Sequence, residues 1–153
     1  MAYTKAHFDL SAPAGQFGFA KSLGLENIGV NIHVFARGEG FDFFHNHREQ
    51  EEVYLCLQGS ADLEIAGEAP ERVHLETGDI VRVDAQTLRA VGNRSSDRAV
   101  VLIAGACPHP YPSGIGHHDV IADVLVVRGR GETGFTLPAY LSAKSENDDP
   151  GDC

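Results

Sequence analysis

His45 and His47 stand one residue apart, and Glu52 follows five residues after His47 in the stretch GFDFFHNHREQEEVYLCLQG, Gly40 to Gly59. On a β-strand, residues i and i+2 project from the same face, so the two imidazoles can converge on one point. The polar run Arg48 to Glu51 leaves room for a bend into a second strand, Val53 to Leu57, which carries Glu52 at its start. Two imidazoles and a carboxylate held by neighbouring strands suit a divalent transition metal. Fe, Mn, Ni and Zn all fit that donor set. Tyr54 shares strand parity with Glu52, so it faces the same way and can orient a ligand or act as an acid or base. A core role is its plainer reading.

A lone His-x-His carries little weight. Here the order is a glycine, His-x-His, four residues, Glu, six residues and Gly59. That order resembles the first motif of the cupin family, with Gly40 one residue closer to His45 than is usual. The family's second motif runs Gly, five residues, Pro-x-Gly, two residues, His, three residues, Asn. Gly78 opens that frame and Asn93 closes it, while Asp84 stands where Pro is usual and Gln86 where Gly is usual. Arg89 occupies the position of the usual metal-binding His. The resemblance covers residues 27 to 105 and implies a jelly-roll barrel, the double-stranded β-helix, with a pocket over a metal.

Arg89 opens two readings. Its planar fork matches a carboxylate or phosphate in bidentate fashion, which would make it the anchor of an anionic ligand. It can also pair with Glu52 and take the metal's electrostatic place, since a guanidinium is always charged. His33 is a candidate fourth ligand if its strand face looks inward; a hydrogen-bonded core or surface histidine is the plainer reading.

The elements that must position these groups read as short strands. Asn27 to Arg37 alternates, with Ile28, Val30, Ile32 and Val34 on one face and Asn31, His33 and Phe35 on the other. Which face looks inward is open. Further strands are expected at Ala61 to Ala66, Arg72 to Leu75, Ile80 to Val83, Leu88 to Val91 and Arg98 to Ala104. Gly92-Asn93 reads as a hairpin turn. Many short strands divided by Gly-rich turns mean an all-β sandwich or barrel. Val120 to Val127 is apolar enough for a strand or a short helix, and a strand is the preferred reading. Between these, CPHPYPSGIG from Cys107 to Gly116 holds three prolines and cannot be regular; laid across the barrel mouth it would bring His109 and Tyr111 to the pocket. His117 and His118 are adjacent, and on a strand they would face opposite ways.

The chain of 153 residues is the size of one domain. The expected division is an arm at 1–26 with Phe8, Phe17 and Phe19 as apolar anchors, a barrel at 27–141, and an acidic tail at 142–153. The net charge of −10 argues against nucleic acid and anionic membrane as partners. Three cysteines without paired spacing suggest neither a disulfide framework nor a cysteine zinc site. No apolar run reaches signal-peptide or membrane-spanning length, so a cytoplasmic setting is expected. A homodimer through the arm or an edge strand is also expected, because sheet edges need covering.

The reading is a metal-binding barrel acting on or holding a small anionic molecule, with oxygenase or isomerase/lyase chemistry, and Arg89 and Tyr54 as its catalytic candidates. The rival is a non-catalytic ligand-binding barrel whose metal site Arg89 closes.

Overall fold

The computed structural model describes residues 2–106 and 133–141, together with the backbone of 124–127. Two five-stranded antiparallel sheets face each other. The first has the order β1 (Gly15–Gly18), β2 (Ile28–Phe35), β9 (Ala99–Ala106), β4 (Glu51–Gln58) and β7 (Ile80–Val83). The second runs β10 (Val124–Val127), β3 (Phe44–His47), β8 (Arg89–Gly92), β5 (Ser60–Ile65) and β6 (Glu71–Glu76). Apart from the pairs β1–β2 and β5–β6, consecutive strands fall in opposite sheets, as in a jelly roll.

The period-2 pattern of β2 settles its orientation. Phe35 belongs to the core between the sheets, with Tyr54, Cys56, Leu63, Leu75, Val91, Val101 and Ile103. Asn31 and His33 therefore look inward as well. Ile32 and Val34 lie on the outside of the first sheet, where they pack with Val100 and the partly buried Phe8, Phe17 and Phe19. Phe8 meets Phe17 and Phe19 edge to face at 5.2 and 6.3 Å between ring centres. Burying such rings, at up to about 2 kcal/mol each, is what folds the first residues back onto the sheet. β1 pairs along β2, Phe17 against Ile32. A single helical turn, α1 (Ala20–Leu23), leads to Gly24 in the left-handed region and on into β2.

Two glycines set the frame around the site. Gly59 turns β4 into β5 at φ +75°, and a Cβ there would lie 2.4 Å from the Arg98 carbonyl oxygen. Gly40 bridges to Gly92, and a Cβ on it would meet the Gly92 Cα at 2.5 Å. That close approach fixes the chain entering β3.

Gly92-Asn93 is not a hairpin turn. β8 and β9 belong to different sheets, so the chain crosses between them here. Asn93 is buried and holds the crossing: its amide donates to the carbonyls of Phe35 and Asp97 at 3.3 and 2.6 Å, and its Oδ1 accepts from the Ser95 backbone N–H at 2.9 Å. A two-residue turn signal marks local geometry, and packing of the whole sandwich decided the partner. Cys107 to Gly116, His117, His118 and the tail from Ser142 lie outside the described residues. Among the described residues no helix is long and apolar enough to cross a membrane.

Candidate metal centre

His45 and His47 come from β3 in the second sheet, and Glu52 from the start of β4 in the first. All three are buried, at 4, 1 and 2 % exposure. Strand parity turns both imidazoles inward, and the bend after His47 carries Glu52 across the interior to meet them. Each offers one donor atom, and these atoms lie within 4.8 Å of one another. His47 Nε2 is 3.1 Å from Glu52 Oε1, and His45 Nε2 is 3.6 Å from Glu52 Oε2.

The His47 contact is short but off-line, so Nε2 makes no hydrogen bond; nor do the Nδ1 atoms of either ring. Buried polar atoms are nearly always paired. A ring nitrogen such as His47 Nε2 that faces a carboxylate without bonding it suits a cation between them, and the donor set fits a divalent transition ion.

The two oxygens of Glu52 face different groups. Oε2 accepts from the Tyr54 hydroxyl at 2.5 Å and from Arg89 Nη2 and Nε at 2.7 and 3.1 Å. Oε1 faces His47 and, at 3.4 Å, the Gln50 amide. Arg89 pairs in register with His45 across β8 and β3 and is wholly buried. Its Nη1 donates to the carbonyls of Ala85 and Thr87 at 3.0 and 2.8 Å. The guanidinium thus rests between Glu52 and the backbone.

Burial by itself would raise the Glu52 carboxyl, but the contacts from His45 and His47 and the charge of Arg89 outweigh it and hold it well below the usual carboxylate range. Burial also pushes the His45 imidazole down, toward the neutral form that can donate to a metal. Burial and the neighbouring Glu52 charge push the Tyr54 phenol well up, so it stays protonated as a donor to Glu52. Arg89 is raised: burial works against its charge, and Tyr54 and Glu52 more than restore it.

The sequence brings His45, His47, Glu52, Tyr54 and Arg89 to one place, and the structure shows them there. His33 faces inward but is not in the three-residue group. The Phe41 ring stands 5.3 Å from His33 and 5.7 Å from His45. Gln50 escaped notice in the sequence. It is wholly buried and packs over Gly105, where a Cβ would fall 2.3 Å from its amide nitrogen. The signal for it was its parity with Glu52, two residues on.

The fold is a jelly roll whose interior brings together two histidines and a glutamate that could hold a metal ion. The cupin domain family matches residues 31–105. A cupin protein from Bacteroides fragilis is similar in structure, with a TM-score of 0.61 at 26 % identity over 71 % of this chain and 86 % of that one. A protein with a double-stranded β-helix domain from Klebsiella pneumoniae has a TM-score of 0.54 at 14 % identity, covering 83 and 92 %. Oxalate oxidase in complex with the substrate analogue glycolate has a TM-score of 0.53 at 16 % identity, covering 69 and 57 %. A comparison with curated proteins gives no match. The chain belongs to the cupin superfamily.

Proposed function

We propose that this cupin binds one divalent transition ion through His45, His47 and Glu52 Oε1, and holds a small anionic molecule beside it. The observation that supports this is the convergence of buried donor atoms, with His47 Nε2 left without a hydrogen bond. Charge points to an anion. Glu52 and Arg89 cancel, and the imidazoles are neutral donors, so a bound dication leaves two positive charges in excess. An interior of low dielectric makes that excess costly unless an anion answers it. The oxalate oxidase structure holds glycolate, a small hydroxy acid; a molecule of that size suits this reading. When bound, the ion would supply Lewis-acid polarisation or oxygen activation, which keeps oxygenase and isomerase/lyase chemistries in view. The chain's own part is to hold Glu52. Arg89 and Tyr54 occupy its Oε2 and leave Oε1 for the metal, while the Arg89 charge adds to the attraction for the ligand.

The test is elemental analysis of untagged protein purified without a chelating column, followed by titration with Mn, Fe(II), Ni and Zn. One ion per chain is expected. His47→Ala should abolish binding, because it removes one of three protein donors. Occupancy should fall below about pH 6, as imidazoles gain protons. Absence of an ion and of uptake on titration would sink the reading. It would favour the second one, a non-catalytic binding cupin, which has its own support in the 2.7 Å contact between Arg89 and Glu52.

A further inference from the structure

Asn31 is the least explained side chain in the barrel. It lies on β2, is wholly buried, and neither its Oδ1 nor its Nδ2 has a hydrogen-bond partner. Strand parity puts it on the inner face with His33 and Phe35. Leaving both ends of a primary amide unpaired in the interior is costly, and native folds rarely tolerate it. A second unpaired atom belongs to a residue beside His33, the inward neighbour of Asn31 on β2. The Tyr140 hydroxyl is buried without a partner, and its ring stands 6.4 Å from that of His33. The walls there are flat: His33 stacks on Phe35 at 5.4 Å and meets Phe41 edge-on at 5.3 Å.

We infer that Asn31 and Tyr140 form a neutral polar subsite inside the barrel, distinct from the metal centre, for the far end of the bound molecule. This rests on the small-acid reading above and narrows it. Asn31 presents a donor and an acceptor side by side, and Tyr140 a hydroxyl. The group they recognise is therefore uncharged and itself offers both roles, as a primary amide does. Asn31 faces Ile103, and Ile103 faces Tyr54, so Asn31 lies two strands across from the Glu52 strand. At strand spacing that is about 10 Å. A short acid ending in an amide spans such a gap, its carboxylate toward Arg89 and the metal donors and its amide toward Asn31.

The experiment uses succinamate, glutaramate and adipamate, each against the acid of the same shape in which the amide is a branched alkyl end: 4-methylpentanoate, 5-methylhexanoate and 6-methylheptanoate. Binding to zinc-loaded full-length protein is followed by calorimetry. At one chain length or more the amide should bind about tenfold tighter than its apolar twin. Asn31→Leu should erase or reverse that preference, and Tyr140→Phe should weaken it. A parallel arm needs no metal. In chelator-treated protein without ligand, Asn31→Leu should raise the thermal midpoint by about 3 °C, since it replaces an unpaired buried amide by an apolar group of similar size. The inference is overturned if the apolar acids bind as well as the amides at every length. It is overturned equally if Asn31→Leu keeps the preference, or lowers the midpoint. Failure of zinc to load strikes the metal reading alone, and the thermal arm still decides this one.

Discussion

At the scale of single residues, Arg89 shapes the site more than any other. Its charge sits where an imidazole is usual, and it is held by Glu52, Tyr54 and backbone carbonyls rather than by solvent. Breaking a buried pair strands the other charge. Arg89→Met should therefore cost about 3–5 kcal/mol in urea unfolding, and adding Glu52→Gln should restore a good part of it. Arg89→His is the chemical test. It supplies a fourth imidazole and removes the cation, so metal affinity should rise while the affinity for a small acid falls. Calorimetry with zinc and then with glycolate reads both; no change in either would mean that Arg89 does not act on the pocket. Arg89→Lys should also weaken acid binding, because an ammonium cannot hold Glu52 and the Ala85 and Thr87 carbonyls together as the guanidinium does.

At the scale of elements, the segment from Thr133 to Thr136 is tied to the second sheet by Arg94. Arg94 Nη2 donates to Glu64 on β5 and to the Thr133 carbonyl, both at 2.6 Å, and its guanidinium lies 4.2 Å from the centre of the Phe135 ring. Glu64 also accepts from Arg72 on β6. Burial raises the Glu64 carboxyl, yet Arg94 and Arg72 together bring it below its ordinary value of 4.5. A carboxyl lowered by folding stabilises the protein above its ordinary value, and that stabilisation is lost as pH falls through the lowered one. Glu64→Gln should flatten the acid limb of the stability curve below about pH 4.5. Arg94→Ala should speed amide exchange at 133–136 while leaving the main core protected; unchanged exchange would show that the Phe135 ring and the bonds of Thr133 and Thr136 to Phe41, Gly38 and Gly40 hold the segment without it. Element positions were legible in the sequence, because alternation and β-branched runs report burial on one face directly. β4, β5, β7 and β9 begin and end close to where the pattern placed them. Sheet membership was not legible. Gly92-Asn93 looks like a hairpin in isolation, and nothing local says that its two strands belong to opposite sheets. The convergence of His45, His47 and Glu52 was readable from spacing. Alternation put Asn31 on one face with His33 and Phe35 but left open which face looks inward, and that its amide lacks a partner emerges only once its neighbours are known.

At the scale of the whole molecule, the outer side of the first sheet stays partly bare. A groove of about 410 Å³ runs between the arm and the sheet, lined by Lys5, Phe8, Phe19, Leu23, Ile32 and Leu102 among others. Ile80, on β7 at the far edge, is 65 % exposed. An uncovered apolar face and two sheet edges favour association, and a homodimer is the expected state. Each copy carries a net charge of −10, so self-repulsion should make the dimer tighter as salt rises. Light scattering that shows a monomer at high micromolar protein in 0.5 M salt would count decisively against it. The way β1 is attached bears on the form such a dimer can take. β1 reaches β2 of its own chain only because residues 19–27, with the turn α1, form a loop long enough to fold back. Leave that loop no residues of its own and the strand can no longer return, yet its partner edge on a neighbouring molecule remains within reach. Deleting Ala20 to Asn27 leaves only Ile28 and Gly29, already paired with Ala106 and Gly105, to make the turn; it should therefore convert self-pairing into reciprocal exchange, yielding an interlocked dimer that dissociates only as fast as the exchanged strand unzips.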